Sequence, residues 1–518
     1  MFADSHAHID FPDFEGDLDE VIESAYSAGV RTIIIPSIDG ETIAKSARIA
    51  ETNPHIWFAG GWHPNDADSF DEGFLQRYLG HPKCIAVGEI GLDFYRDYVP
   101  KDVQIDVFRR QLEISREAGL PAIVHIRDAW DDAREILDDF PDVPCDFHAF
   151  SGGMAELDWA VARGGFIGLG GPVTFKNFRK RDVVEALPLD NLLLETDCPF
   201  LAPQSHRGKR NEPSFIPLIA EKIAELKGID IAEVERATTA NLRRFLEIPM
   251  PITVSATDSP KRCLSQNFLI DDNIVRKIAK NAGKGKLCVE IGAGNGEITG
   301  ELSKNFDKIY AIEPDWVRHS AITEKTPSAV VIPKMAQDVD ITGLCAFEGV
   351  KATVAGNLPY ADSSQILFHI LDHRTVVDRA IFMIQKELAD RICSSTRVKT
   401  YGIPSVLFAL YFIIKREFDV SRNCFKPAPK VDSTVISLTP RSQSIAPSCP
   451  KNYKLLQKVV KASFAHRRKT IANSMRQAFS DVDLSSVFER AGIDASLRAE
   501  QIPPEGFVAL ANAVEEVL

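Results

Sequence analysis

The chain has 518 residues, 45% of them apolar and 26% charged, and its nine cysteines are scattered without CxxC pairs. This composition is ordinary for a soluble globular protein, the length exceeds one hydrophobic core, and the cysteine spacing argues against a disulfide framework. The first ten residues lack the basic and apolar regions of a secretion signal, and no apolar run approaches the roughly 20 residues of a membrane span. We therefore expect a cytoplasmic protein of several domains without a membrane partner.

The charge of the chain changes sign near its middle. Residues 1–255 contain 25 Lys and Arg against 44 Asp and Glu, a net charge of −19, whereas residues 256–518 contain 35 against 29, a net charge of +6. Such a change supports a domain boundary. The acidic half would need metal ions or local basic patches to approach a phosphate polymer, and the basic half suits RNA directly.

The first half alternates short apolar strands with amphipathic segments such as 102–118, whose apolar residues have helical spacing. Eight strand–helix units in about 250 residues are typical of an α/β fold, the (β/α)8 or TIM barrel. The predicted strands are 2–9, 30–37, 56–63, 84–93, 121–127, 144–151, 166–174 and 192–199.

Histidines and carboxylates collect at the carboxyl ends of these predicted strands, which meet at one face of a barrel. One histidine at a strand end is usually structural, but a set of this size favours metal ligation. Two carboxylates and four histidines are enough for two divalent ions (Mg, Mn, Zn or Co) that share one carboxylate and activate water. The set consists of His6, His8, His63, Glu89, His125, His148 and Asp197.

The first half also resembles the TatD family of metal-dependent deoxyribonucleases over nearly all of residues 1–248. The motifs occur in the order of the family: DSHAHID, GEIGLDFYR, HIRDA, HAFSG, VTFKN, ETDCPFLAP and RGKRNEP. The resemblance implies one metal ion bound by His6, His8, Glu89 and Asp197. It implies a second metal ion bound by Glu89, His125 and His148.

The same resemblance implies that Asp197 orients or deprotonates the attacking water and that His63 lies near the phosphate. A loop with Arg207, Lys209 and Arg210 either binds a DNA backbone or is simply solvated. The favoured activity is a deoxyribonuclease, in particular an exonuclease, with DNA as its partner. The alternative is an ester or amide hydrolase, such as an enzyme that deacylates mischarged tRNA.

The proline-containing segment 249–260 has no helical period and predicts a linker. The second half then begins again with a strand, a glycine-rich turn and a helix. Its strand pattern is typical of a doubly wound, Rossmann-like α/β domain. The predicted strands are 287–292, 308–313, 329–333, 352–355, 380–385 and 431–439, and after 450 only helical patterns remain.

The glycine-rich turn VEIGAGNG at 289–296 predicts a nucleotide-containing cofactor. Gly292 and Gly294 allow the backbone to approach such a ligand closely. Glu313 ends the next strand, 21 residues after Gly292, where an acid can bind both ribose hydroxyls. These residues alone fit NAD as well as S-adenosylmethionine (SAM), although the GxGxG spacing favours SAM.

Asn357-Leu358-Pro359-Tyr360, at the end of the fourth strand, is more specific. The N6 amine of adenine is a poor nucleophile because its lone pair is delocalised into the ring. The Asn357 side-chain carbonyl and a backbone carbonyl could accept its two protons and turn the lone pair toward a methyl donor. An adjacent aromatic ring could stack on the base. The motif predicts methyl transfer to adenine.

The second half resembles the ribosomal RNA adenine N6,N6-dimethyltransferases over about residues 259–515. The motifs are LSQNFL, VEIGAGNG, AIEPD, GNLPY, QKELADRI, FKPAPKVDS and SFAHRRKTIANSM. The resemblance implies that the substrate is small-subunit (16S-type) rRNA or a pre-30S particle, and that Asn357 orients the target N6, Tyr360 stacks beneath the adenine and Phe425 covers its other face. It implies SAM-binding roles for Asn267, Leu269, Gly292, Gly294, Glu313 and Asn357. An unpaired base is the cheapest to extract for such a pocket.

The expected domains are a hydrolase barrel at 1–248, a methyltransferase domain at 261–445 and a helical RNA-binding domain at 446–518. In the last of these, basic residues favour contact with RNA phosphates over a merely solvated face. They are Lys458, Lys461, Arg467, Arg468 and Lys469.

Two positions depart from the methyltransferase pattern. Ser265 replaces a glycine, and Met335 stands where an Asp usually accepts a hydrogen bond from the SAM adenine. Either Asp338 reaches back, or SAM relies on the Ala336 amide and on packing by Met335. One lost hydrogen bond would weaken SAM binding by about 1–2 kcal/mol. The alternative for this half is therefore a ribosome-assembly factor with weakened catalysis.

Overall fold

The computed structural model describes residues 1–246, 267–441, 452–466 and 468–518, in which the chain forms two compact units. The predicted linker at 249–260 lies outside the described residues. The predicted domain boundaries at 248, 261 and 445, and Ser265 and Arg467, lie outside them as well.

Eight parallel strands form one sheet in the first unit, and each pairs with the next strand along the chain. This order confirms the predicted (β/α)8 architecture. The strands are β1 (Phe2–Asp4), β2 (Val30–Pro36), β3 (Ile56–Gly60), β4 (Cys84–Asp93), β5 (Ala122–Arg127), β6 (Cys145–Phe147), β7 (Phe166–Leu169) and β8 (Leu192–Leu194).

Contacts between the segments that follow β1 and β8 close the barrel. The Ser5 amide donates to the Leu194 carbonyl at 2.9 Å. The buried Asp4 carboxylate accepts hydrogen bonds from the Thr196 amide at 2.9 Å and from the Thr196 hydroxyl at 2.6 Å. The first and last strands are thereby joined at their carboxyl ends.

Helices separate the strands of the barrel, and their apolar faces contribute to its hydrophobic core. The predicted helix 102–118 is α4, which ends where Gly119 adopts a left-handed φ of +64°, a common helix terminator. In the described residues the helices are α1 (Leu18–Ser27), α2 (Gly40–Thr52), α3 (Glu72–Leu79), α4 (Lys101–Ala118), α5 (Trp130–Asp138), α6 (Met154–Ala162), α7 (Arg181–Ala186), α8 (Ile216–Lys227) and α9 (Ile231–Leu246).

Several strands are shorter than their apolar patterns predict. The predictions for β1, β3, β6 and β8 extended to 9, 63, 151 and 199, but the regular ladder ends three to five residues earlier. Most of the remaining residues are buried or partly buried, so the apolar pattern continues beyond the end of the regular ladder. These short segments, rather than strands, carry His6, His63, His148 and Asp197.

The second half of the chain contributes a mixed seven-stranded sheet in the order β12-β11-β10-β13-β14-β17-β15, a Rossmann-like arrangement. Strand β17 runs antiparallel to both β14 and β15. A separate two-stranded sheet pairs β9 with β16. The strands are β9 (Phe268–Leu269), β10 (Gly285–Ile291), β11 (Phe306–Ile312), β12 (Ala329–Ile332), β13 (Ala352–Asn357), β14 (Val377–Gln385), β15 (Phe412–Val420), β16 (Phe425–Lys426) and β17 (Ser433–Pro440).

Helices flank this sheet and then form the end of the chain. The described residues from 452 onward form only helices and turns, as predicted. The helices are α10 (Asp272–Ala282), α11 (Glu297–Leu302), α12 (His319–Lys325), α13 (Ile341–Glu348), α14 (Ser363–Asp372), α15 (Lys386–Ile392), α16 (Ile403–Tyr411), α17 (Tyr453–Phe464), α18 (Ile471–Met475), α19 (Leu484–Ala491) and α20 (Pro504–Val517). Within the described ranges no helix is long and apolar enough to cross a membrane.

Strand β15 was not predicted. The apolar run 406–414 begins within α16 and continues into β15, so one stretch of sequence spans two kinds of structure. A run that changes periodicity at its middle matches neither a helical nor a strand template.

Candidate metal centre and candidate cofactor pocket

Glu89, in β4, lies at the centre of the predicted ligand set and is 2% exposed. Its Oε2 atom is 3.3 Å from His6 Nε2 and 3.5 Å from His8 Nε2. Its Oε1 atom is 2.8 Å from both His125 Nδ1 and His148 Nε2. The two carboxylate oxygens thus face two different pairs of histidines, which is the geometry of a bridging ligand.

Asp197 completes the group on the His6 and His8 side. Its Oδ1 atom is 4.0 Å from His6 Nε2 and 3.8 Å from His8 Nε2. Its backbone has a φ of +54°, an unusual conformation that is tolerated better by Asp than by most residues. The Asp197 amide donates to the His6 carbonyl at 2.9 Å, and this bond fixes the turn that aims the carboxylate inward.

His63 lies on the other side of Glu89. Its Nε2 atom is 3.7 Å from Glu89 Oε1, and its ring packs edge to face on His125 at 4.6 Å between centroids. The Nδ1 atom of His63 accepts a hydrogen bond from the Asn65 amide at 3.1 Å, which leaves Nε2 to face the centre. The structure therefore brings together all seven predicted residues.

Asp93 is a member of this cluster that the sequence reasoning missed. Its Oδ2 atom is 3.5 Å from His125 Nε2, on the side of the ring opposite Glu89. Arg127 holds the Asp93 carboxylate by hydrogen bonds of 2.6 and 3.0 Å. A carboxylate behind a histidine fixes the ring orientation and raises ligand basicity. The available signal was its place at the end of β4, four residues after Glu89.

Charge balance makes the centre suitable for cations. Burial alone would raise the pKa of Glu89, but the neighbouring His148 and His6 outweigh it and hold that pKa well below its usual range. Burial lowers the pKa of His125, but Asp93 and Glu89 raise it to about 9. Imidazole nitrogens and carboxylate oxygens lie within 4.8 Å of one another in three groups, two of which share His6. This donor set fits divalent cations.

A glycine beside Glu89 allows the close packing of β4 on β5. Gly91 has a φ of +142°, and a Cβ atom there would lie 2.0 Å from the His125 carbonyl oxygen. Any side chain at this position would push β4 away from β5. The glycine in the GEIG motif therefore keeps Glu89 and His125 at bonding distance.

A cavity of about 230 Å³ opens beside Asp197. Its lining is mostly apolar and includes Phe150, Val173, Phe178 and Leu201. Apolar walls around a few polar groups are typical of small-molecule sites. The cavity therefore provides a mostly apolar space next to Asp197 of the metal centre.

The basic loop near the centre is only partly available for a ligand. Arg210 is bound by both oxygens of Asp17 at 2.6 and 2.8 Å. Arg207 is exposed and lies 4.8 Å from the centroid of the Phe175 ring, and Lys209 is exposed. Arg210 is thus a structural residue, whereas the other two cations face solvent.

In the second unit, the glycine-rich turn between β10 and α11 adopts left-handed conformations. Gly292 has a φ of +71° and Gly294 a φ of +58°. A Cβ atom on Gly292 would lie 3.2 Å from the Asn357 carbonyl oxygen, so a side chain would crowd the end of β13. The turn brings the two predicted motifs to one edge of the sheet, where nucleotide-containing ligands bind.

Glu313 follows β11 at the same edge. One carboxylate oxygen accepts a hydrogen bond from the Gly294 amide at 2.8 Å, and the other accepts from the Asp315 amide at 2.9 Å. Burial raises the pKa of Glu313 to about 7, although the two amide bonds oppose this shift. The carboxylate is thus fixed against the glycine-rich turn, as a ribose-binding residue requires.

The two polar side-chain atoms of Asn357 differ in their hydrogen bonding. Its Nδ2 group donates to the Asn267 carbonyl at 3.1 Å. Its Oδ1 atom is buried and has no hydrogen-bond partner in the described part of the chain. An unpaired buried acceptor costs free energy unless a ligand uses it. The orientation of the amide therefore leaves one buried acceptor available to a ligand that donates a hydrogen bond.

The predicted aromatic residues differ in their surroundings. The Tyr360 hydroxyl forms a 2.7 Å hydrogen bond with the Ser433 hydroxyl, which fixes the ring at the pocket edge. Phe425 is only 3% exposed, and its backbone pairs with Leu269 in the small sheet formed by β9 and β16. That sheet joins the two segments predicted to cover the ligands.

The segment that departs from the methyltransferase pattern follows β12. Asp338 is exposed, whereas Ala336 is buried within a short 3-10 turn. Of the two alternatives, these positions favour reliance on Ala336 over a carboxylate that reaches back.

Basic residues of the C-terminal helices face solvent. Lys458 and Lys461 lie on the exposed face of α17, and Arg468 and Lys469 are exposed beyond its end. Their exposure makes contact with phosphates sterically possible.

Each half of the chain matches a known family. Residues 3–247 match the family described as TatD related DNase, and residues 257–516 match the one described as ribosomal RNA adenine dimethylase. A Bacillus subtilis protein named uncharacterized metal-dependent hydrolase YabD is 41% identical over 254 residues, 48% of this chain and 100% of that relative. A Syntrophus aciditrophicus protein named ribosomal RNA small subunit methyltransferase A is 36% identical over 269 residues, 49% of this chain and 94% of that relative.

A solved structure is similar to the first half. The crystal structure of the TatD homologue YjjV from Escherichia coli has 32% sequence identity and a TM-score of 0.45. The match covers 48% of this chain and 98% of that one.

Proposed function

Since the chain belongs to the TatD-related DNase family in its first half and to the ribosomal RNA adenine dimethylase family in its second, we propose that it is a bifunctional enzyme. The first half hydrolyses phosphodiester bonds of DNA as an exonuclease with two divalent ions. The second half transfers methyl groups from SAM to adenine N6 in small-subunit rRNA. The enzyme acts in the cytoplasm, and its domains are residues 1–248, 261–445 and 446–518, with a linker at 249–260.

The single observation that supports two ions is the division of Glu89 between two pairs of histidines. His6, His8, Asp197 and Glu89 Oε2 would hold one ion, and His125, His148 and Glu89 Oε1 the other. Divalent ions at such a site polarise the scissile ester and lower the pKa of water.

Three side chains of the metal centre would have separate roles in the hydrolysis. The Asp197 carboxylate would orient the attacking water and take its proton. His63, with Nε2 toward the centre, would donate to a phosphate oxygen. Asp93 would keep the His125 ring in place.

The first test is hydrolysis of single-stranded oligodeoxynucleotides by the full chain with Mg²⁺ or Mn²⁺. We expect release of mononucleotides that EDTA abolishes and that added metal restores. Cleavage of aminoacyl esters by the same preparation, without any hydrolysis of DNA under any divalent metal, would contradict the nuclease and favour the alternative hydrolase.

For the second half, the unpaired Oδ1 atom of Asn357 carries the proposal. It would accept a proton of the target N6, while Tyr360 stacks beneath the base and Phe425 borders its other face. The residues that would bind SAM, which supplies the methyl group, are Asn267, Leu269, Gly292, Gly294, Glu313 and Asn357. The exposed basic face of α17 would contact rRNA phosphates.

The second test is methyl transfer from labelled SAM to pre-30S particles isolated from cells that lack this modification. Mass spectrometry of the rRNA should find methylated adenine only with the full chain and SAM present. Binding to the particles without any methyl transfer would instead identify an assembly factor.

A further inference from the structure

Two groups of exposed aromatic side chains lie beside the metal centre and have no part in the chemistry above. Tyr95 and Tyr98 are 63% and 67% exposed, on the loop after β4, and Phe200 is 53% exposed, on the loop after β8. Scattered surface hydrophobic residues need no explanation, but rings grouped around an active site do. We propose that a single strand of DNA crosses the metal centre with bases stacked on Tyr95 and Tyr98 on one side and on Phe200 on the other. This inference rests on the proposed nuclease function.

The tyrosine loop is anchored directly behind a metal-centre histidine. The amides of Tyr95 and Arg96 donate to Asp93 Oδ1 at 3.0 and 3.3 Å. The other oxygen of the same carboxylate is 3.5 Å from His125 Nε2. One carboxylate therefore holds both the histidine and the start of the loop that carries the exposed rings.

Phe200 is connected to the opposite side of the centre. The Phe200 amide donates to the Asp197 carbonyl at 3.0 Å. Its ring packs edge to face on Phe11 at 6.1 Å between centroids, and the Phe11 ring lies 4.7 Å from the His8 ring. Phe200 is thus connected to Asp197 and, through Phe11, to His8. The tyrosines are connected through Asp93 to His125.

Positive charge accompanies the tyrosines. The Arg96 guanidinium lies 5.5 Å from the centroid of the Tyr95 ring and 5.8 Å from that of Tyr98. Arg127 lies over the Tyr95 ring at 4.6 Å and remains partly exposed while it binds Asp93. Arg96 makes no ion pair within the described residues. In a half with a net charge of −19, this local cationic patch complements a phosphate backbone.

This combination of rings and cations fits a single strand better than a duplex. Proteins that bind single strands without sequence preference stack bases on aromatic rings and follow the backbone with basic residues. In a duplex the faces of the bases are covered by neighbouring base pairs, so exposed tyrosines have nothing to stack on. The surface therefore predicts stacking on these rings that accepts any base of a strand at the metal centre.

The experiment compares kcat/KM for a single-stranded oligonucleotide with that for the same strand made of abasic residues. We expect the wild-type chain to prefer the base-containing strand by about tenfold or more. In the Tyr95→Ala/Tyr98→Ala double variant, and to a smaller extent in Phe200→Ala, this ratio should fall toward one. The Tyr95→Phe/Tyr98→Phe variant keeps the rings and should restore the wild-type ratio.

A matched control is Ile231→Ala, which shortens an exposed apolar side chain at the start of α9 and should leave the ratio unchanged. A wild-type chain that cleaves DNA with the same ratio as the alanine variants would overturn the stacking surface and leave the nuclease standing. If the wild-type chain hydrolyses neither oligonucleotide, the nuclease function and this inference both fail.

Discussion

The two candidate sites are built in different ways. The metal centre gathers titratable side chains from six strands or the segments that follow them, and Glu89 joins its two sides through one carboxylate. The cofactor pocket is built largely from backbone, with left-handed glycines and amides bound to Glu313, and its most specific group is one neutral amide. The first site is therefore expected to depend on charge and the second on shape and hydrogen bonding. Substitutions that change charge at constant shape should separate them.

The largest effect is expected from Glu89→Gln. The amide keeps the size of the side chain but removes the negative charge that faces five histidines. We expect DNA hydrolysis to fall by about a thousandfold. Metal analysis of the purified chain by mass spectrometry should find fewer bound ions per molecule, while methyl transfer by the second half stays at its wild-type rate. Unchanged metal content would contradict the bridging role of Glu89.

Asn357→Ala tests the neutral site. Removing the Oδ1 acceptor should lower methyl transfer by about 10²–10³-fold, since one preorganised hydrogen bond in a transition state has that value. SAM binding, measured by calorimetry, should change much less. Asn281→Ala, at a partly exposed asparagine in α10, serves as the control. Unchanged adenine methylation in cells that lack other copies would refute the enzymatic function of this half.

Asp93→Asn tests whether Asp93, which would support the metal site only through His125, needs its negative charge for that role. The amide should hold the His125 ring less firmly, with an expected loss of about 10–100-fold in metal affinity. The measurement is competition for Mn²⁺ or Zn²⁺ with a chromogenic chelator. Asp139→Asn, at an exposed ion pair with Arg109, provides the control. Equal metal affinity in both variants would leave Asp93 with a purely structural role.

Glu290 gives the smallest expected effect, and it concerns stability. Burial raises the pKa of this carboxyl from near 4.5 to about 8. The folded state therefore keeps a proton that the unfolded state releases, so the contribution of Glu290 to stability is fully present below about pH 4.5 and is lost as the pH rises toward 8. The slope attributable to Glu290 is about 1 kcal/mol per pH unit between roughly pH 5.5 and 7.5.

The Glu290→Gln variant is neutral at every pH and should lack this part of the slope. Hydrogen exchange of peptides from β10, compared at the two ends of that pH range, measures the difference. Glu301→Gln, in α11, is the control, because Glu301 is paired at the surface with Lys304. Equal pH dependence in wild type and Glu290→Gln would show that the carboxyl is ionised when folded.

The barrel was predictable because its signals are local and repeated. Each predicted apolar segment overlaps one observed strand of the barrel. Glu89 and His125 fall within the predicted segments that form β4 and β5. The exact ends of the strands were not predictable, because the buried segments that carry His6 and Asp197 have the same apolar pattern as a strand. Only the pairing of neighbouring backbones shows where the ladder stops.

The second unit shows the same limit in another form. The glycine-rich turn and Asn357 were identified from short motifs, whose spacing reflects backbone geometry within one strand and one turn. Strand β15 was missed because it shares an apolar run with α16. The pairing of Leu269 with Phe425 joins positions more than 150 residues apart, and no local pattern encodes such a contact.

The sequence by itself determined the fold class of each half, the change of charge between the halves and most of the residues that the structure brings together at the metal centre. These properties depend on periodicity, composition and short motifs, which are local. The tertiary structure decided that Glu89 faces two histidine pairs, that Asp93 supports His125, that Arg210 is occupied by Asp17 and that Asn357 keeps a free acceptor. Each of these is a distance between atoms remote in the chain, and such distances are set only when the whole core has packed.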